Sequence, residues 1–130
     1  PNVLEEVEVN ERALRRGRTA EFERRREQGR GSFLTADDLA RNRVNSLPDA
    51  LRTVRGLRID CRAGTSCYVR MIRSTNCPPA FFLDGFPSDE QVLFTPVLDV
   101  GGVEVYRGPS ETPAEFLTSD AMCGVIAIWT

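Results

Sequence analysis

The side chains of this 130-residue chain that could do chemistry are nineteen carboxylates, four cysteines and seventeen arginines. It has no His and no Lys. Without His, neither a Ser-His-Asp nor a Cys-His nucleophile can be assembled, and His-containing zinc sites and the commonest neutral-pH base are lost with them. Without Lys there is no Schiff base and no phosphate-loop lysine. Two carboxylate pairs remain. Asp84 with Glu104 is one, but Asp84 is already accounted for by the turn Asp84-Gly85. Adjacent Asp89 and Glu90 diverge and cannot flank one bond. The sequence therefore predicts a protein that makes no bonds, with no catalytic residue, no metal centre and no cofactor.

Cys61, Cys67, Cys77 and Cys123 include no CxxC pair, so a zinc site would need an unusual all-Cys geometry. An even count in a short chain favours disulfides and an oxidising compartment, by secretion or in the periplasm. A Cys61–Cys67 bridge would pinch the turn from Arg62 to Ser66 between adjacent strands. Cys77–Cys123 would join the start of one apolar strand to the start of the last, a long loop worth on the order of 4–5 kcal/mol in chain entropy. The alternative is four buried free thiols in a cytosolic protein.

The elements that must carry these residues are punctuated densely. Val3 to Val9 partly alternates, which predicts a short strand or extended arm. Glu11 to about Gln28 has helical composition, with Gly17 a possible break costing near 1 kcal/mol. The break Gly29-Arg30-Gly31-Ser32 divides an arm, residues 1–30, from a body, residues 31–130. Thr35-Ala-Asp-Asp38 has the form of a capping box opening a helix to about Val44. Ser46-Leu-Pro-Asp49 opens another that ends at Gly56. Thr112-Pro-Ala-Glu115 opens a third, short one through Phe116. Strands are predicted at 57–60, 67–72, 80–83, 103–106 and 124–129; the last is apolar enough to be buried on both faces. This is an α+β pattern: a small mixed sheet, two or three short helices, disulfide staples and an Arg-rich helix in front.

Charge is uneven although the net is only −2. Residues 11–30 hold eight Arg against four Glu. Interleaved Glu dilutes the field and only Phe22 could stack on a base, so a solvated helix face is expected and a nucleic-acid contact is not. The longest apolar run near the end, Val125 to Trp129, is far short of the roughly 20 residues of a membrane-crossing helix. No transmembrane helix is expected, and the chain is too short to close a barrel of about eight strands. A start at Pro1 rather than Met predicts a processed or excised chain.

From Phe33 to Thr130, about three quarters of the chain, the order of motifs resembles the plug domain of TonB-dependent outer-membrane receptors. Four motifs carry the likeness: Ser46-Leu-Pro-Asp-Ala-Leu-Arg-Thr-Val-Arg-Gly56 before a strand, Tyr68-Val-Arg-Met-Ile-Arg73, Phe81-Phe-Leu-Asp-Gly-Phe-Pro87, and Val103-Glu-Val-Tyr-Arg-Gly-Pro-Ser110. The exit strand Cys123-Gly-Val-Ile-Ala-Ile-Trp-Thr130 follows in its place. Two residues depart from the pattern: Ser74 stands where the family has Gly after an Arg, and Cys123 where Gly is usual.

The resemblance implies a plug that gates an outer-membrane receptor's uptake of an unidentified ligand, sited at the outer membrane or in the periplasm. Its partners would be a β-barrel of roughly 22 strands and a TonB-type energising protein. Leu4, Glu5, Glu6, Val7, Glu8 and Val9 would be a TonB-box-like arm that pairs by strand addition; the alternative is the last strand of a preceding β-domain. Glu104, Arg107, Arg70 and Arg73 would contact the barrel or partner. The ligand-facing loops would be 74–79 and 87–94. The alternative function is a stand-alone periplasmic plug-like binding or scaffold protein that docks on a partner through its Arg-rich helix.

Overall fold

The computed structural model describes residues 3–62 and 66–130. A long helix, α1 (Val3–Gln28), precedes β1 (Ser32–Thr35), α2 (Ala36–Arg41), α3 (Leu47–Leu51), β2 (Leu57–Arg62) and β3 (Ser66–Met71). Then come β4 (Ala80–Leu83), β5 (Phe86–Ser88), β6 (Gly102–Tyr106) and β7 (Val125–Trp129), with short 3-10 turns between them. Five strands form one sheet in the order β1-β6-β7-β4-β5, and β2 with β3 forms a separate hairpin. β4 and β7 run parallel while the other neighbours are antiparallel, so the sheet is mixed. This is the mixed α/β body expected.

Strand alternation sends successive side chains to opposite faces, and β7 uses both. Ile126 and Ile128 enter a core with Leu47, Leu51, Val69 and Met71 from α3 and β3. Val125 and Ala127 face the other way, toward Phe82, Tyr106 and Phe116. Each large apolar side chain so buried contributes about 1.5–3 kcal/mol. A central strand between two cores needs no polar face, which is why its sequence has none.

Local signals acted as read in several places. Thr35 Oγ1 accepts from the Asp38 N–H and the Asp38 carboxylate accepts from the Thr35 N–H, completing the capping box of α2. Ser46 Oγ accepts from the Asp49 N–H at the start of α3. Asp84 (φ 51) and Gly85 (φ 90) make the tight turn between β4 and β5. Both disulfides form as expected: Cys61–Cys67 across facing positions of β2 and β3, and Cys77–Cys123 just ahead of β4 and β7. Residues 63–65 of the expected turn lie outside the described residues.

Two strands, β1 and β5, form where none was expected, the ends of four others shift by one or two residues, and four helical readings differ. Residues 3–9 are helical, not extended, and α1 runs unbroken through Gly17. Glu5 and Glu6 lie in its positive first turn, and the pairs Glu8–Arg12 and Glu11–Arg15 sit one turn apart, at 3.7 and 3.5 Å; both effects favour helix. α2 stops at Arg41 rather than Val44, because Asn42 caps it and Arg43 turns to φ 52. α3 ends at Leu51, so Gly56 (φ 86) serves the turn into β2 instead. The third helix is one 3-10 turn, Ala114–Phe116, entered from Pro113; the Thr112 hydroxyl donates to the Gly108 carbonyl and does not cap it.

Candidate functional site

α1 reaches the body through its last third. Phe22 is buried edge-on against Phe33, with centroids 5.9 Å apart. It lies over Gly102, where a Cβ would meet the Phe22 ring at 2.8 Å; only a residue without a side chain lets the helix come this close. One turn on, on the same face, Arg25 is 3% exposed and lies over Glu104 of β6, which is 0% exposed.

The Arg25 guanidinium grips this carboxylate in parallel, Nε to Oε1 at 2.7 Å and Nη2 to Oε2 at 2.9 Å. The Tyr106 O–H donates to Oε1 and the Trp129 indole N–H to Oε2, each at 2.6 Å. Two aromatic rings flank the cation: its Cζ is 5.0 Å from the Phe116 centroid and 5.4 Å from that of Trp129. Glu115 adds a second carboxylate, 3.2 Å from Arg25 Nη1, and also receives Arg24 at 2.8 Å.

A buried charge pair holds only if its remaining donors and acceptors are matched. Among the described residues no buried side-chain nitrogen or oxygen lacks a partner. Burial pulls the Arg25 pKa down, but the hydrogen bonds and charge of Glu104 and the bond to Glu115 outweigh it, leaving the group above its ordinary value. Burial, then the bond to Glu104, pushes the Tyr106 phenol far up. The result is a cage that holds one guanidinium and fixes its orientation; it offers no free base or nucleophile.

The four expected contact residues fall in three places. Glu104, expected on a partner-facing surface, is wholly internal and saturated by Arg25, Tyr106 and Trp129. It sits between the buried Val103 and Val105 on β6 and beneath Arg25, so no part of it reaches the surface. Arg107 is also committed inward: Nε donates to the Arg55 carbonyl at 2.7 Å, Nη2 donates to Ser32 Oγ at 2.6 Å, and Nη1 lies 3.6 Å from Glu111. Arg73 shares an open cleft of about 390 Å³ with it. Arg70 projects from β3, stacked 4.0 Å over the Tyr68 ring. Among the described residues neither Arg70 nor Arg73 has a carboxylate partner.

The two expected loops meet. Cys77 to Pro79 and Pro87 to Glu90 border one open cleft of about 670 Å³, with Arg70 and Asp120 also on its wall. Leu4 to Val9 lie on the first turns of α1, exposed. Asp84 receives the Thr130 N–H and O–H at 2.8 and 2.6 Å, closing the end of β7 onto the turn. Among the described residues no three His, Cys, Asp or Glu side chains cluster to hold a metal ion, and no helix is long and apolar enough to cross a membrane.

Sequence reasoning missed Arg25, Phe116 and Trp129 as one unit. The available signals were slight: Phe22 and Arg25 share a helix face, and the lone Trp ends an otherwise aliphatic strand.

The sequence model described as "TonB-dependent Receptor Plug Domain" matches residues 24–116. No curated protein matches the chain. Among solved structures, the ferric enterobactin receptor PfeA of Pseudomonas aeruginosa is 22% identical at TM-score 0.60, over 78% of this chain and 17% of that one. The siderophore receptor PirA of Acinetobacter baumannii is 21% identical at TM-score 0.61, over 77% of this chain and 17% of that one. PirA of Pseudomonas aeruginosa is 28% identical at TM-score 0.53, over 78% and 18%. The chain thus spans under a fifth of the length of these receptors.

Proposed function

The chain belongs to the TonB-dependent receptor plug domain family, and on that premise we propose that it gates an outer-membrane receptor, filling the lumen of a β-barrel and yielding to a TonB-type protein on the periplasmic side. The observation that carries this reading is the pair of arginines, Arg70 and Arg73, that leave the β3 end with no carboxylate of their own among the described residues. A polar insert in a water-filled barrel is held in register by such charges meeting acidic groups on the wall, which set position more than affinity. Both faces of the main sheet are already covered, as a plug in an aqueous lumen requires.

In this reading the cleft between loops 74–79 and 87–94 faces the ligand. Asp89, Glu90 and Asp120 give it an acidic rim. The division into an arm (residues 1–30) and a body (residues 31–130) is part of the same proposal, with the arm docked through Phe22 and Arg25. Strand addition by Leu4 to Val9 would first require the opening turns of α1 to unwind, which is inexpensive because these residues are all exposed.

The second reading is a stand-alone periplasmic docking protein. The first half of α1, on which Arg12, Arg15 and Arg16 are exposed, favours it. One fractionation separates the two. An antibody against this chain should detect, in outer membranes, a polypeptide several times its size whose gel migration changes on heating, as barrels do. A band of the chain's own size in the soluble periplasm would overturn the receptor reading and leave the docking protein.

A further inference from the structure

We propose that the pocket around Glu104 is a guanidinium-recognition site, filled in cis by Arg25, that also accepts an arginine side chain supplied in trans. Its walls come from the body and its occupant from a separate element. Glu104, Tyr106, Glu115, Phe116 and Trp129 lie on β6, β7 and the turn between them, while the guanidinium arrives on α1. The Tyr106 O–H and the Trp129 N–H hold the Glu104 carboxylate in place, one on each oxygen. Each oxygen keeps a lone pair for one arm of a planar fork, and the observed contacts of 2.7 and 2.9 Å are that bidentate match. Phe116 and Trp129 add cation–π contacts that suit a flat, weakly hydrated cation better than an ammonium.

The occupant is replaceable by construction. Residues 3–17 are exposed throughout. The helix is anchored by Phe22 and Arg25, with Arg24 on Glu115 at the rim. Behind it, Gly29 has φ 68 and open space around its Cα, so the connection can turn without a steric penalty. An arginine presented by a partner surface competes with Arg25 for one carboxylate and, on winning, releases α1. The site therefore couples partner binding to the freedom of the arm, whether or not a barrel surrounds the body.

The test uses the full chain with Arg25→Ala and reads Trp129, the only tryptophan. Methylguanidinium, N-acetylarginine amide and methylammonium are titrated at matched ionic strength and low-millimolar concentration. Both guanidinium probes should give saturable changes in Trp129 emission and raise Tm, while methylammonium acts about tenfold more weakly or not at all. If Arg25→Ala is unfolded alone, the same probes should restore its circular dichroism. The wild-type chain, in which Arg25 competes for the same carboxylate, should respond to the guanidinium probes only at much higher concentration, and the Arg25→Ala/Glu104→Gln double variant should not respond. Equal responses to all three cations, no saturable response, or a response retained in the double variant would overturn the proposal.

Discussion

Arg25 and Glu104 are 79 residues apart in sequence and meet through two parallel hydrogen bonds in a site closed to water. Each alone would be an uncompensated buried charge. Arg25→Met or Glu104→Gln should therefore cost about 3–5 kcal/mol, whereas Arg25→Met with Glu104→Leu should cost much less than the sum. Urea unfolding of the three variants measures this. Additive losses would mean that the two groups do not act as a pair.

Gly102 sets how closely α1 approaches the sheet. Gly102→Ala places a methyl where the Phe22 ring lies, 2.8 Å away, and should destabilise docking by about 1–3 kcal/mol. Hydrogen exchange should rise across residues 18–25 while β7 stays protected. A rise spread evenly over the chain would contradict a local effect.

The two disulfides should differ in worth. Cys77–Cys123 spans a sequence separation of 46 and Cys61–Cys67 one of 6. In the chain-entropy account, replacing the first pair by Ser costs about 4 kcal/mol and replacing the second about 2. Denaturant midpoints of the two double variants give the ranking directly, and the reverse order would refute it.

Stability should fall away at both ends of the pH range. Glu115 sits below the usual carboxylate value of 4.5 although burial raises it, because its own backbone N–H and the Arg25 and Arg24 side chains donate to it. Asp38 is held below 3.8, chiefly by the Thr35 backbone N–H. A carboxyl lowered in the folded state contributes fully above its unfolded value and loses that contribution as pH falls through the folded one. The acid loss should therefore begin near pH 4.5. Tyr106 moves the opposite way, raised by burial and then by Glu104 above the usual 10.0. Its contribution is complete below pH 10 and is lost as pH rises beyond it. Midpoints measured across pH should show both limbs, and Tyr106→Phe should flatten the alkaline one; an unchanged alkaline limb would assign it elsewhere.

Charge reversal at Arg70 and Arg73 separates partner contact from folding. Both side chains lack carboxylate partners among the described residues, so Arg70→Glu/Arg73→Glu should change stability by no more than about 0.5 kcal/mol. Ligand uptake by a receptor carrying the pair should nonetheless drop. Unchanged uptake with unchanged stability would remove these residues from the proposed wall contact.

The sequence was legible where one short segment decides the outcome. Thr35 with Asp38 and Ser46 with Asp49 complete their hydrogen bonds within four residues, and Asp84-Gly85 turns by its own backbone angles, so their spacing alone announces them. The apolar β7 and both cysteine pairings could be read for a related reason: burial and covalent closure leave few other arrangements. Arg25 was not legible. It is one of eight arginines between residues 11 and 30, and what singles it out lies on β6, β7 and the Phe116 turn. The helical start of α1 was hidden differently. Three alternating residues suggested a strand, and the charge pairs that stabilise a helix there extend into the next turns.

The bond from Cys77 to Cys123 also governs how the molecule can be drawn out from its amino end. Tension applied at Val3 would first meet the grip on Arg25, then peel β1, then reach the small ring that Cys61–Cys67 closes in the hairpin, and then the larger ring closed by Cys77–Cys123. The residues inside that ring cannot lengthen the strand under load; at about 3.4 Å each, a sequence separation of 46 withholds roughly 150 Å of reach. While that bond is intact, β4, β5 and β6 can loosen but cannot be threaded away, and reducing it would change how far the chain extends before it changes what the chain binds.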